Sequence, residues 1–108
     1  MFWKIFRVTG SSMAPTLEHG DFIVAQKYRK NPIEGTIGVI RHPILGSIIK
    51  RINKIPGKQL YFATGDNDYS VKSSLIGSLK ANEIVYHAIL RISPYGLTRL
   101  KPKTNTLL

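Results

Sequence analysis

The sequence predicts a mainly β fold, a small coiled antiparallel β-barrel or sandwich with little helix, and three observations carry that expectation. Apolar residues come in short runs rich in Ile, Val, Tyr and Phe; turn-forming Gly, Pro, Asp and Asn separate the runs; and no window of helical length keeps apolar residues at spacings of three and four. Taken in order, Met1 to Arg7 is the first strand. Phe22 to Ala25 follows the turn residues His19-Gly20-Asp21, Thr36 to Arg41 follows Glu34-Gly35, Ser47 to Asn53 follows Gly46, and Leu60 to Ala63 follows Pro56-Gly57. Glu83 to Ile92 forms a longer run that stops at Ser93-Pro94-Tyr95-Gly96. Helix is confined to a turn near Met13 to Leu17 and a segment around Leu75 to Ala81. A chain of 108 residues supports one core and no second unit. The expected domain is therefore 1–100, with 101–108 a flexible basic tail that has little to bury.

Composition narrows the setting. There is no cysteine, so neither a disulfide framework nor a thiol nucleophile is available. Sixteen Lys and Arg against six Asp and Glu give a net charge of +10, which favours a negative partner such as nucleic acid, anionic lipid or an acidic protein. The cations are spread, in Lys27, Arg29 and Lys30, in Lys50, Arg51, Lys54 and Lys58, and in Lys101 and Lys103, and most read as an ordinary solvated surface. A membrane-spanning helix needs about twenty consecutive apolar residues, and the longest apolar stretches here are far shorter. The start of the chain offers at most a peripheral membrane contact through Phe2, Trp3 and Phe6. His19, His42 and His87 fall in different expected elements without Asp or Cys at ligand spacing, so no metal and no cofactor are expected.

Two residues stand out chemically. Ser12, in Gly10-Ser11-Ser12-Met13-Ala14-Pro15-Thr16-Leu17, lies between a glycine and a proline, where serine ordinarily makes a turn. Here Met13 can pack beneath the loop, Pro15 fixes a backbone angle and Leu17 anchors the far end, so the loop would present Ser12 at the edge of a cleft floored by Met13 and Pro15. A serine hydroxyl needs a base, and a desolvated lysine amine is one. Lys50 is the candidate. Strand alternation puts it on a face with Ile48 and Ile52, where loss of hydration lowers its pKa, while Arg51 turns the other way toward solvent. Ser12 would then be the nucleophile and Lys50 the general base.

Ser-Met-x-Pro-Thr-Leu, then Gly20-Asp21 before an apolar run, then Lys50-Arg51 with Ile55-Pro56-Gly57, then Gly65-Asp66-Asn67 with Ser70, resembles in content and order the signal peptidase I family of serine/lysine peptidases. The resemblance implies a single peptidase-like β domain, a Ser12/Lys50 dyad, and a serine endopeptidase that removes an N-terminal leader or pro-segment from a precursor protein. It implies that Ser70 orients the lysine amine, allowing a one-residue deletion after Asn67. It also implies an oxyanion donor two residues before the nucleophile. That position is Gly10, so the hole would rely on backbone donors or on Ser11. Lys72 and Ser74 stand where the family commonly has an aspartate and an arginine.

Arg41-His42-Pro43, between the two catalytic blocks, resembles a short branch without a membrane anchor whose members mature nickel-type superoxide dismutase. That branch implies a bacterial protein, cytoplasmic or peripheral at a membrane surface, with one precursor as its protein partner and no nucleic acid. Self-cleaving repressors of the DNA-damage response share the dyad and a related β fold, but only eleven residues precede Ser12 here, too few for a DNA-binding domain. The alternatives are a degenerate peptidase homologue or a non-enzymatic basic β-barrel that binds protein or nucleic acid, with Tyr28, Tyr61 and Tyr95 as stacking aromatics.

Overall fold

A computed structural model of the chain describes residues 2–28, 30–67 and 76–103. Seven strands, β1 (Trp3–Arg7), β2 (Phe22–Lys27), β3 (Ile37–His42), β4 (Gly46–Lys54), β5 (Tyr61–Thr64), β6 (Ile84–Ser93) and β7 (Gly96–Arg99), form one sheet in the order β1-β2-β6-β3-β4-β5, with β7 also paired to β6. Every pairing is antiparallel. The long strand β6 organises the sheet. Along one edge it pairs with β2; along the other, its first half pairs with β3 and its last four residues with β7. Register shifts at Val24/Ala25 and Val39/Ile40 bend the strands and coil the sheet.

Coiling lets both faces of the central strands be buried. Val39 and Ile37 join Val8, Met13, Leu17, Ile23, Ala25 and Ala88 in one apolar cluster, whereas their neighbour Ile40 joins Ile52, Tyr61, Ala63, Ile76, Leu79 and Ile84 in a second. The mainly antiparallel β architecture is the one the sequence predicts. Met13 to Leu17 closes a single turn, with the Leu17 N–H donating to the Met13 carbonyl at 2.9 Å. Of the expected helical segment at Leu75 to Ala81, residue 75 lies outside the described residues, Leu79 bridges to Tyr61, and a 3₁₀ turn occupies Ala81–Glu83.

Strand β7 is the element the sequence does not announce. Ser93-Pro94-Tyr95-Gly96 is a hairpin turn, with Ser93 opposite Gly96. Gly-Leu-Thr-Arg holds one apolar residue and all four are exposed, so there is no alternation to read. Backbone pairing to β6 creates the strand. The chain stays pinned beyond it: Leu100 N–H donates to the Ile89 carbonyl at 2.8 Å and Lys103 N–H to the Gly35 carbonyl at 2.9 Å. Gly35 has φ +85, and a Cβ there would lie 2.3 Å from the Lys103 carbonyl oxygen. Residues 104–108 lie outside the described residues.

Tyr28, Tyr61 and Tyr95 do not form a common stacking platform. Tyr61 is buried, and Tyr28 stacks on the His87 ring at 5.4 Å while its hydroxyl meets that of Thr36 at 2.9 Å; burial pushes its pKa up to about 12. Only Tyr95 of the three is exposed. Among the described residues no helix is long and apolar enough to cross a membrane.

Candidate active site

Ser12 and Lys50 line the same cleft, about 450 Å³ in volume, walled by apolar side chains that include Phe6, Val8, Met13, Val39 and Ile48. Ser12 comes from the loop after β1 and is half-buried, and Lys50 comes from the middle of β4. The loop is held where its apolar residues enter the core, Met13 at 2 % and Leu17 at 0 % exposure. Pro15 differs from expectation. It is exposed and does not line the cleft, because the turn that buries Met13 and Leu17 carries the residue between them outward.

Lys50 is 5 % exposed. Ile48 and Ile52 flank it on its own face, and Gly38 of β3 sits directly opposite. Burial lowers the pKa of its amine. Among the described residues neither that amine nor the Ser12 hydroxyl makes a hydrogen bond, so the two share the cleft without being hydrogen-bonded to each other. No described buried side-chain nitrogen or oxygen lacks a partner, which means the Lys50 Nζ reaches the open volume of the cleft. Gly38 lets Ile52 and Ile84 pack close over β3: a Cβ there would lie 2.8 Å from Ile52 Cγ1 and 2.9 Å from Ile84 Cγ2. Gly38→Ala should lower stability in urea unfolding by about 1–3 kcal/mol, the usual cost of overpacking a core, and an unchanged midpoint would show that the two isoleucines give way freely.

Two of the expected oxyanion donors remain open. The Gly10 N–H is taken by His19 Nδ1 at 2.9 Å, and Gly10 has φ +81, a conformation that favours glycine over the serine a side-chain donor would need. Among the described residues the Ser12 N–H and the Ser11 hydroxyl make no hydrogen bond. Ser70, with Lys72 and Ser74, lies outside the described residues.

Arg51 corrects the sequence reading. Instead of facing solvent it is 6 % exposed, donating through Nε to Asp66 Oδ1 at 3.2 Å, through Nη2 to Asp66 Oδ2 at 2.5 Å, and through Nη1 to the Gly35 carbonyl at 2.9 Å. The Thr16 hydroxyl donates to the same carboxylate at 2.5 Å. Burial pushes the Asp66 carboxyl up, but hydrogen bonds from Arg51 and Thr16 and the charges of Arg51 and Lys103 more than offset it, so the carboxyl stays below its ordinary value. Next door, Asn67 fixes the serine loop itself: its N–H donates to the Ser12 carbonyl at 2.9 Å and its Nδ2 to the Ser11 carbonyl at 3.0 Å. Gly65-Asp66-Asn67 is thus a clamp joining the serine loop to the residue after Lys50. As a sequence it reads only as a turn; the adjoining buried strand is the available signal, because an arginine there needs an acid.

Two histidines also have structural work. His19 holds Gly10, and His42 Nδ1 accepts the Ile44 and Leu45 N–H groups at 3.1 and 3.0 Å, closing the β3–β4 turn. Among the described residues no cluster of three His, Asp or Glu side chains could hold a metal.

The sequence profile of a family described as peptidase S24-like matches residues 3–77. The match takes in Ser12, Lys50 and the Asp66-Asn67 clamp, and it is consistent with the serine/lysine peptidase resemblance. Searches of curated proteins and of solved structures gave no match. With more than half of its 108 residues matched, the chain belongs to the S24-like peptidase family.

Proposed function

We propose that the chain is a serine endopeptidase that removes an N-terminal leader or pro-segment from a precursor protein, with Ser12 as nucleophile and Lys50 as general base. The observation that carries this reading is the pair's shared apolar cleft, in which burial favours the neutral amine a base requires. Neutral Lys50 takes the Ser12 proton as the oxygen attacks the scissile carbonyl. The Ser12 N–H, with the Ser11 hydroxyl, faces the oxyanion that forms, and the resulting ammonium returns the proton to the departing amine. Water then attacks the acyl-enzyme by the same proton relay in reverse. Ser70 orients the amine in this scheme. The apolar walls suit an extended substrate segment with small or apolar side chains next to the cut, and the resemblance around Arg41-His42-Pro43 makes a nickel-type superoxide dismutase precursor the specific candidate.

The test is cleavage of a peptide library by the wild-type chain and by Ser12→Ala. The expected result is a discrete set of sites cut by the wild type alone. Identical profiles from both would end the peptidase reading and favour a homologue that binds without cutting.

A further inference from the structure

The outer face of β1, β2, β6 and β7 carries an apolar surface that the described residues leave largely exposed. Cross-strand partners in an antiparallel sheet point to the same side. One row therefore runs Ile5, Val24, Leu90, and the next runs Phe22, Ile92, Leu97, with Trp3 extending the surface along β1. Ile5 is 61 %, Leu97 71 %, Trp3 50 % and Phe22 42 % exposed. Phe6, at the alternate position between Ile5 and Arg7, turns the other way and packs edge-on against Tyr86. Phe6 is therefore not part of this surface.

The charge on these strands is one-sided. They carry Lys4, Arg7, Lys27, Arg91 and Arg99 and no Asp or Glu. Arg91 is spent on the buried Asp21, at 2.6 Å, whereas Arg7 and Arg99 end the two apolar rows and are exposed. A contiguous apolar surface of this kind marks an interaction site, and its cationic ends select the occupant. A second copy would bring another net charge of +10 against it, so self-association is opposed by repulsion.

We propose that this face docks onto an anionic lipid bilayer, with Trp3, Ile5, Phe22 and Leu97 entering the headgroup boundary and Arg7 and Arg99 meeting lipid phosphates. Docking of this kind does not depend on peptidase activity. Trp3 is the only tryptophan in the chain, so its fluorescence reports the contact directly.

The experiment titrates the full-length protein with phosphatidylcholine vesicles containing about a third phosphatidylglycerol and with pure phosphatidylcholine vesicles. Expected are a blue shift of Trp3 emission and co-sedimentation with the anionic vesicles, weakening as salt rises. Ile5→Ser combined with Leu97→Ser, both exposed positions, should weaken partitioning roughly tenfold or more while leaving thermal unfolding unchanged. Arg7→Gln with Arg99→Gln keeps the apolar surface and should remove the preference for anionic lipid. Equal binding to both vesicle types, no binding by the wild type, or a concentration-dependent dimer that forms without lipid and shifts Trp3 in the same way would each overturn the proposal.

Discussion

Lys50→Arg should abolish peptide cleavage as completely as Lys50→Ala, with a loss on the order of a thousandfold or more, comparable to Ser12→Ala. A guanidinium keeps its proton throughout the accessible pH range, so it cannot take the one on Ser12. For the wild type, the rate should rise with pH through the pKa of Lys50, which burial places below that of a free lysine. A second readout needs no substrate. A lysine whose folded pKa is lowered weakens the fold at every pH where the unfolded chain would hold that proton and the folded chain resists it. The penalty is full below the folded pKa and fades as pH rises to the unfolded value. Lys50→Met, which fits the surrounding isoleucines without a charge to desolvate, should therefore be inactive yet more stable than wild type near neutral pH, by about 1 kcal/mol. Cleavage by Lys50→Arg would remove the lysine from the mechanism, and a destabilised Lys50→Met would show that the amine is stabilised by its surroundings.

The second large effect is expected at Asp66. Asp66→Asn leaves the Arg51 guanidinium buried without its counter-charge, and breaking one side of a buried pair costs about 3–5 kcal/mol. Urea unfolding at neutral pH measures it. Because the folded carboxyl sits below its ordinary value, its stabilising contribution is present above the unfolded pKa of about 3.9 and is lost as pH falls through the lower folded pKa. The gap between wild type and Asp66→Asn should accordingly shrink in acid. A double-mutant cycle with Arg51→Met isolates the pair, and the double variant should recover much of the loss. Simple additivity would mean that the two residues stabilise the fold independently. The same variant releases Thr16 and loosens the neighbouring Asn67 clamp on the Ser12 loop, so cleavage should fall further than stability alone accounts for.

Residues that act through local chemistry are legible in the sequence. Turn residues mark six of the seven strands, since Gly and Pro punctuate the chain wherever it reverses. The alternation of Ile48, Lys50 and Ile52 implies a desolvated amine, because strand geometry assigns those three side chains to one face whatever lies opposite. Met13 and Leu17, four apart in a turn, imply an anchored loop. What the alternation does not say is whether the other face of β4 is also buried. Arg51 reads as solvent-facing for that reason, and Asp66 reads as a turn carboxylate because its partner lies fifteen residues away.

The sequence by itself therefore determined the β class, the family and the chemical identity of the candidate pair, since these rest on residue types and short spacings. Only the tertiary structure decided what surrounds them. Coiling of the sheet around β6 buries both faces of β3 and β4, which places Lys50 against the cleft and makes Arg51 require Asp66. It decided that β7 exists, because a strand with one apolar residue is specified by the edge it pairs with. It also aligned Ile5, Phe22 and Leu97, residues up to ninety-two positions apart, into one surface, because register between strands is a property of hydrogen-bonded pairing and of no single segment.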